Sequence, residues 1–343
     1  MSDLAALRSV DLVDDKVLIL DQTRLPAEQV TIVCTDTPTL VEAIASLRVR
    51  GAPAIGIAGA FGVAAAAVRC SKATRDGARA LAALEAEAAI LREARPTAVN
   101  LGWAVDRVMS RLRSAAASGT TSSELAELSL IEAFAIRSED VDSCLHMAKH
   151  ARALIPDGAR ILTHCNTGLL CTGGIGTALG AIRQAHEEGA GIEVFVCETR
   201  PLLQGARLTA WELSQLGIPH HLIVDGAAAG LILGGQVDLV LVGADRIAAN
   251  GDTANKVGTL AHALAAAAAG IPFYVVAPNS TIDRTIRSGD QIPIESRPAA
   301  EVLDLLEHPG TDRALNPAFD VTPARLISAI ITESGAHRTP FRL

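Results

Sequence analysis

Cys165, in the run Thr163-His164-Cys165-Asn166-Thr167-Gly168, and Asp245, in Gly243-Ala244-Asp245-Arg246, are the residues of this 343-residue chain best suited to chemistry. Each follows a short apolar run, Arg160–Thr163 for the cysteine and Leu239-Val240-Leu241-Val242 for the aspartate. A thiolate can act as nucleophile or base. A carboxyl group behind apolar residues can have its pKa raised enough to hold a proton at neutral pH, which makes Asp245 a candidate general acid. Comparable runs lead into Glu198-Thr199-Arg200-Pro201 and Asp225-Gly226. In isolation a cysteine after a strand is a small buried hydrophobe, and an aspartate there caps a turn, which is the reading for Asp225. In an open parallel sheet, however, residues after the strands converge on one crevice, and that convergence points to a site.

Anion binding has three candidate segments. Arg50-Gly51-Ala52 precedes a helical stretch, with Gly51 allowing close backbone approach. Arg95 stands just before Pro96 and supplies a planar cation. After the turn signal Asn250-Gly251-Asp252, Asn255-Lys256 is expected at the start of an Ala-rich helix, where backbone N–H groups and a lysine could hold phosphate. Other patterns fail. Gly174-Ile175-Gly176 with Gly180 lies ten residues past His164, too far from the strand for a dinucleotide fingerprint. His146 and His150 beside Cys144 lack the H-E-x-x-H pattern and do not make a zinc site, and no G-x-S-x-G elbow is present. No metal and no cofactor are expected.

Two kinds of texture must position these residues. The first hundred residues mix short β-like pieces (17–21 and 30–34) with helical stretches at 38–47, 51–68, 73–95 and 105–113. A polar break at 114–123 is followed by helix over 124–154 and the turn Pro156-Asp157-Gly158. From residue 159, apolar runs at 160–163, 192–197, 221–224, 237–242 and 273–277 alternate with Ala-rich helical segments, which implies a parallel sheet covered on both faces. The expected organisation is a mixed α+β domain at 1–115, a helical connection at 116–158 and an α/β domain at 159–343.

Composition narrows the class. With 49% hydrophobic residues but only 3% aromatic, the core must rest on closely packed Ala, Leu, Ile and Val. A formal charge of −8 argues against a nucleic-acid surface. Six dispersed cysteines without a C-x-x-C pair read as reduced and cytoplasmic, and the first fifteen residues carry four acids and no export-type apolar core. Residues 51–68 form an uncharged run of 18, but Pro53, Gly56, Gly59 and Gly62 interrupt it, so a buried helix with a bare glycine face is expected and not a membrane span.

The blocks LDQTRLP (Leu20–Pro26), VRGAPAIGIAGAFG (Val49–Gly62), THCNTG (Thr163–Gly168), ETRPLLQGARLTAWEL (Glu198–Leu213), VGADRIAANGDTANKVGTL (Val242–Leu260) and NPAFDVTP (Asn316–Pro323) carry a resemblance over nearly the whole chain. The chain resembles the S-methyl-5-thioribose-1-phosphate isomerases of methionine salvage, within a family that includes ribose-1,5-bisphosphate isomerases and the regulatory subunits of the initiation factor 2B exchange complex. That resemblance implies an aldose–ketose isomerase with Cys165 and Asp245 as the catalytic pair. It implies that Arg50, Gly51, Ala52, Arg95, Gln204, Asn255 and Lys256 bind a small sugar phosphate. It also implies a Rossmann-like C-terminal domain with a smaller N-terminal domain, assembled as a homodimer, with neither nucleic acid nor membrane as partner. Cys197, Gly226 and Gly102 depart from the family pattern, which carries Asp, Asn and a bulky aromatic there. If they border the pocket for the sugar's C5, 5-deoxyribose 1-phosphate or ribose 1,5-bisphosphate is an alternative substrate. A non-catalytic regulatory module is the second class of reading, and the retained Cys165, Asp245 and Gln204 argue against it.

Overall fold

The structure is a computed structural model that describes residues 7–95, 98–304 and 310–341. The chain divides into two compact units. One comprises the described residues up to Asp142 together with Leu169–Gly174, and the other comprises Ser143–Gly168 and Ile175 onward.

The N-terminal unit begins with an antiparallel meander of β1 (Val10–Val13), β2 (Lys16–Leu20) and β3 (Thr31–Cys34), in the register Val10↔Ile19 and Val17↔Cys34. Val17 and Ile19 alternate onto the buried face, as a half-buried strand requires. Four helices follow: α1 (Thr37–Ala45), α2 (Ala52–Ala73), α3 (Gly77–Arg92) and α4 (Val99–Ala116). The helix expected at 73–95 is observed as α3, shorter at both ends: Ala73 closes α2, and the Asp76 carboxylate caps α3 by accepting from Ala78 and Arg79 N–H. Pro96, expected to end that stretch, lies outside the described residues, and α3 has already stopped at Arg92. The uncharged run is α2, which among the described residues is the only helix long and apolar enough to cross a membrane, and 78% of its most apolar window is buried in the protein. Its glycines let α4 approach. A Cβ at Gly56 would stand 3.0 Å from the Asn100 carbonyl oxygen, and one at Gly59 would stand 2.6 Å from the Leu101 side chain. Close backbone packing thus replaces the bulk that scarce aromatics would supply.

Helix α5 (Ser122–Arg152) carries the chain into the C-terminal unit. There β4 (Arg160–Thr163), α6 (Ala178–Glu187), β5 (Glu193–Cys197), α7 (Ala210–Leu216), β6 (His220–Ile223), α8 (Ala228–Leu233) and β7 (Leu239–Val242) alternate. They are followed by β8 (Arg246–Ala248), β9 (Thr253–Lys256), α9 (Thr259–Ala269), β10 (Phe273–Val276), β11 (Ile282–Asp283), α10 (Ala300–Leu303), β12 (Phe319–Thr322), β13 (Ala329–Thr332) and β14 (Gly335–His337).

The main sheet has the order β14-β13-β10-β7-β4-β5-β6, parallel except for the edge strand β14. From β4 the chain steps outward through β5 and β6, then returns to β7 on the other side of β4. This is the doubly wound Rossmann arrangement, whose switch point lies between β4 and β7. Strand parity sorts the core. Ile161, Val194, Val196, Leu239 and Leu241 pack with α6 and the end of α5 on one face, while Leu162, Phe195, Cys197, Val240 and Val242 pack with α8 and α9 on the other. A second sheet, β11-β8-β9-β12, grows from the end of β7. Its β8–β9 hairpin turns at Asn250-Gly251-Asp252, where Gly251 takes φ +91° and Asp252 N–H donates to Asn250 Oδ1.

Candidate active site

Cys165 leaves β4, and Asp245 stands just beyond β7, so the two candidates occupy the carboxyl ends of the adjacent strands that define the switch point. Cys165 has φ +64°, a conformation uncommon outside glycine. Its backbone is held on both sides: the N–H donates to Thr199 Oγ1 at 2.9 Å, and the C=O accepts from the Thr209 hydroxyl at 2.6 Å. Thr199, after β5, itself has φ +66°, a true outlier for a β-branched side chain. The Asp225 carboxylate holds it there by accepting Thr199 N–H at 2.8 Å and Arg200 N–H at 2.7 Å. Asp225 therefore caps a turn, and the turn is the one that grips the cysteine.

Thr209 ends a stretch of π-helix, Gly205–Thr209, that runs into α7. Only glycine fits its first position, since a Cβ on Gly205 would lie 1.7 Å from the Cys197 carbonyl oxygen. Asn166 donates to Thr209 Oγ1 and to the buried Glu212 carboxylate at 2.7 Å, which pins the loop after β4 to α7. The loop after Cys165 does not run directly into an α-helix. The next α-helix, α6, starts at Ala178, and Thr167 Oγ1 reaches across the loop to accept Leu179 N–H.

Asp245 departs from expectation too. The apolar run before it is fully buried, but the aspartate is exposed, its backbone N–H bound to the Ala254 carbonyl where the hairpin leaves the sheet. Apolar burial therefore does not act on this carboxyl in the chain alone.

Asn255 and Lys256 lie in strand β9 and not at a helix start. Two residues separate them from α9, at whose N-terminus Asp320 already accepts two donors, Gly258 N–H at 2.7 Å and Leu260 N–H at 3.1 Å. Burial raises the Asp320 pKa even so. Asn255 is buried and donates to Thr259 Oγ1, and Lys256 Nζ rests 4.6 Å from the centre of the Phe319 ring. Gln204, named only by resemblance, is 5% exposed at the start of the π-helical stretch, and its Oε1 is buried without a hydrogen-bond partner among the described residues. An acceptor left in this state is costly until a donor reaches it.

In the N-terminal unit, Gly51 caps α2 at φ +90°, with no side-chain cap on the helix. A Cβ there would meet the Cys171 Cβ at 2.3 Å. Arg50 and Ala52 flank it, half-buried, and Arg95, also half-buried, follows α3 with its carbonyl accepting Ala98 N–H.

Beneath the strand ends lie two histidines to which sequence reasoning gave no role, and Cys197 joins them. His164 Nε2 faces the Val257 carbonyl oxygen at 2.9 Å, and its Nδ1 faces His262 Nε2 at 3.2 Å. Cys197 Sγ is 3.6 Å from the same His262 nitrogen. Burial pulls the His164 pKa down to about 4 and that of His262 to about 3, and it pushes the Cys197 thiol up. Cys197 therefore faces α9 inside the core. Gly102 faces the Arg92 side chain of α3, 3.7 Å from where its Cβ would be.

The sequence matches the initiation factor 2 subunit family over residues 48–339. A methylthioribose-1-phosphate isomerase from Pelotomaculum thermopropionicum is 52% identical over 331 residues, 96% of this chain and 90% of that one. The crystal structure of 5-methylthioribose 1-phosphate isomerase from Pyrococcus horikoshii superimposes with a TM-score of 0.92 at 42% identity, covering 98% of this chain and 93% of that one. Translation initiation factor eIF-2B, subunit delta, from A. fulgidus superimposes with a TM-score of 0.86 at 40% identity, covering 97% and 96%. A match spanning most of the chain, with the fold retained from end to end, places this protein as a member of the initiation factor 2 subunit family.

Proposed function

We propose that this protein is an aldose–ketose isomerase that converts S-methyl-5-thio-α-D-ribose 1-phosphate to S-methyl-5-thio-D-ribulose 1-phosphate in methionine salvage. The observation that carries the reading is the placement of Cys165 and Asp245 at the ends of β4 and β7, on either side of the switch point. Relatives about 50% identical bear the name of this enzyme, which supports the choice of sugar.

A phosphate on the anomeric oxygen prevents spontaneous ring opening, so the C1–ring-oxygen bond must be broken with the phosphate in place. Asp245 gives its proton to the ring oxygen, which leaves as the C4 hydroxyl. Hydrogen then moves from C2 to C1, and the C2 hydroxyl returns its proton to the Asp245 carboxylate as it becomes a ketone, leaving C1 a methylene that carries the phosphate. The sugar itself shields the exposed Asp245 from water and so favours its protonated form. Arg50, Gly51, Ala52 and Arg95 are assigned to the substrate through cation and helix-start chemistry. Gln204, Asn255 and Lys256 are assigned to the sugar and its phosphate, with the buried Gln204 Oε1 taking a hydroxyl proton.

Cys165→Ser and Asp245→Asn each lower kcat by about a thousandfold or more with an unchanged circular dichroism spectrum; full turnover in either variant removes the assignment. Substrate deuterated at C2 reads the hydrogen route: loss of label to solvent assigns Cys165 thiolate as the base, and retention assigns a hydride shift. Failure to form any ketose from 5-substituted ribose 1-phosphates would return the chain to the regulatory class.

The same reading includes a cytoplasmic location, supported by six cysteines with no disulfide among them. It also includes a homodimer, supported by the apolar residues Leu222 and Val224 at edge strand β6 and Leu233 on α8, all more than half exposed. Light scattering gives about twice the 35.6 kDa chain mass if the dimer forms.

A further inference from the structure

Three ligand-type side chains converge inside the C-terminal unit, and the sheet brings them together. In the β4–β5 register Leu162 is level with Phe195 and Thr163 with Val196, so continuing one step sets His164 beside Cys197 on the face covered by α9. His262 comes from α9 itself. His164, Cys197 and His262 are 0%, 0% and 3% exposed, and their ligating atoms all lie within 4.8 Å of one another.

The protons in this cluster do not match its contacts. The Val257 carbonyl can only accept, so neutral His164 carries its hydrogen on Nε2 and presents a lone pair at Nδ1. That lone pair faces His262 Nε2, which also faces the Cys197 sulfur. A single ring nitrogen cannot donate to His164 and accept from the thiol at once. With its hydrogen on Nε2, His262 donates to His164 and leaves the sulfur only a weak acceptor's share; with the hydrogen on Nδ1, no hydrogen lies between the two facing imidazole nitrogens.

The spacings fit another occupant. Tetrahedral coordination with metal–N bonds of about 2.0–2.1 Å and a metal–S bond of about 2.3 Å sets N···N at about 3.3 Å and N···S at about 3.6 Å. The cluster shows 3.2 Å between the two imidazole nitrogens and 3.6 Å between His262 Nε2 and Cys197 Sγ. Two edges of the polyhedron are already drawn, and the third, from His164 Nδ1 to Cys197 Sγ, lies within 4.8 Å and contracts when the ion is bound.

We propose that His164 Nδ1, His262 Nε2 and Cys197 Sγ bind one divalent transition-metal ion of the zinc class, whose role is to lock the exits of β4 and β5 against α9. Two imidazoles and a thiolate select zinc or cobalt over magnesium or calcium, which take oxygen ligands. Binding replaces the thiol hydrogen by the metal–sulfur bond and releases it to solvent as a proton. The charge that remains on the metal–thiolate unit faces the Asp225 carboxylate, 3.9 Å from His164 Nδ1 and 28% exposed. Because His164 precedes Cys165, and Asp225 holds the turn that grips Cys165, the ion stiffens the frame of the thiol without touching the reacting atoms. The proposal does not depend on the reaction assigned above.

The test is cobalt(II) titration of the full-length protein after chelator treatment, in reducing buffer. One equivalent per chain is expected to give a thiolate-to-cobalt charge-transfer band with tetrahedral d–d absorption, to be displaced by zinc(II), and to raise Tm. Cys197→Ser and His262→Leu each abolish the band or weaken the midpoint at least tenfold, while Cys165→Ser retains it. The near-isosteric Cys197→Ser keeps the test valid if His262→Leu fails to fold. Absence of the band at one equivalent, its survival in Cys197→Ser, or its loss in Cys165→Ser overturns the proposal.

Discussion

At the scale of the residue, the Cys165 backbone is fixed by side chains distant in sequence. Cys165 and Thr199 both adopt positive φ, and each is held by hydrogen bonds that run in sequence from Asp225 through Thr199 to the Cys165 amide. Such conformations cost on the order of 1–3 kcal/mol each and persist only where the surroundings over-determine them. Thr199→Val keeps the shape of the side chain but removes the hydroxyl that accepts Cys165 N–H and donates to the Cys197 carbonyl. We expect kcat to fall about 10- to 100-fold with a smaller change in KM, because a misplaced reacting group affects the transition state more than ground-state binding. Thr199→Ser should recover most of the loss. Equal losses in Thr199→Val and Thr199→Ser would show that the hydroxyl does not position the thiol. Asp225 was legible as a cap, but the turn it caps was not, since the sign of φ at Thr199 depends on a carboxylate 26 positions away.

At the scale of the element, hydrophobic pattern located the strands it named, 160–163 as expected and the others within one or two residues, but it did not reveal β1, β8, β9 or β11 to β14. It misled where an element's end is decided by a partner. Asn255 and Lys256 were expected to open α9, but β12 pairs with them across the small sheet and Asp320 from that strand takes the helix's first donors. Periodicity cannot reveal a strand of four residues whose partner lies more than sixty positions on. The π-helical stretch was equally hidden, although its glycine is in plain view. Gly205→Ala must push the Cys197 carbonyl or the turn apart by more than an ångström to clear a 1.7 Å approach. The backbone shift should cost about 1–3 kcal/mol and, through Thr209, at least tenfold in kcat. Denaturant melts and steady-state rates measure the two effects, and a variant with wild-type values for both would show that the packing is looser than described.

At the scale of the whole molecule, the buried histidines make stability depend on acid. Folded-state pKa values of about 4 for His164 and about 3 for His262 lie below the ordinary 6.5. Above pH 6.5 both rings are neutral whether the chain is folded or not, so stability is fully present. As pH falls below 6.5 the unfolded chain takes up protons that the folded chain refuses, and stability is lost until pH passes through the folded values. For His164 alone this amounts to roughly 3 kcal/mol, at 1.36 kcal/mol per pKa unit. Chelator-treated protein should therefore lose Tm steadily between pH 6.5 and 4, and His262→Leu should flatten part of that slope. A slope unchanged by the substitution would place the acid lability elsewhere.

Read alone, the residues determined an α/β chain with a parallel C-terminal sheet and a glycine-faced buried helix, and they pointed to Cys165 and Asp245 as the side chains to inspect. These conclusions rest on composition, local periodicity and the identity of groups next to strand ends, all of which are local in the chain. Tertiary structure decided that Cys165 and Asp245 flank the switch point, that Asp245 is exposed, that Thr199 and Asp225 hold the Cys165 backbone, and that His164, Cys197 and His262 meet. Each of those depends on strand order, register or burial, and such properties arise only when residues distant in sequence pack against one another.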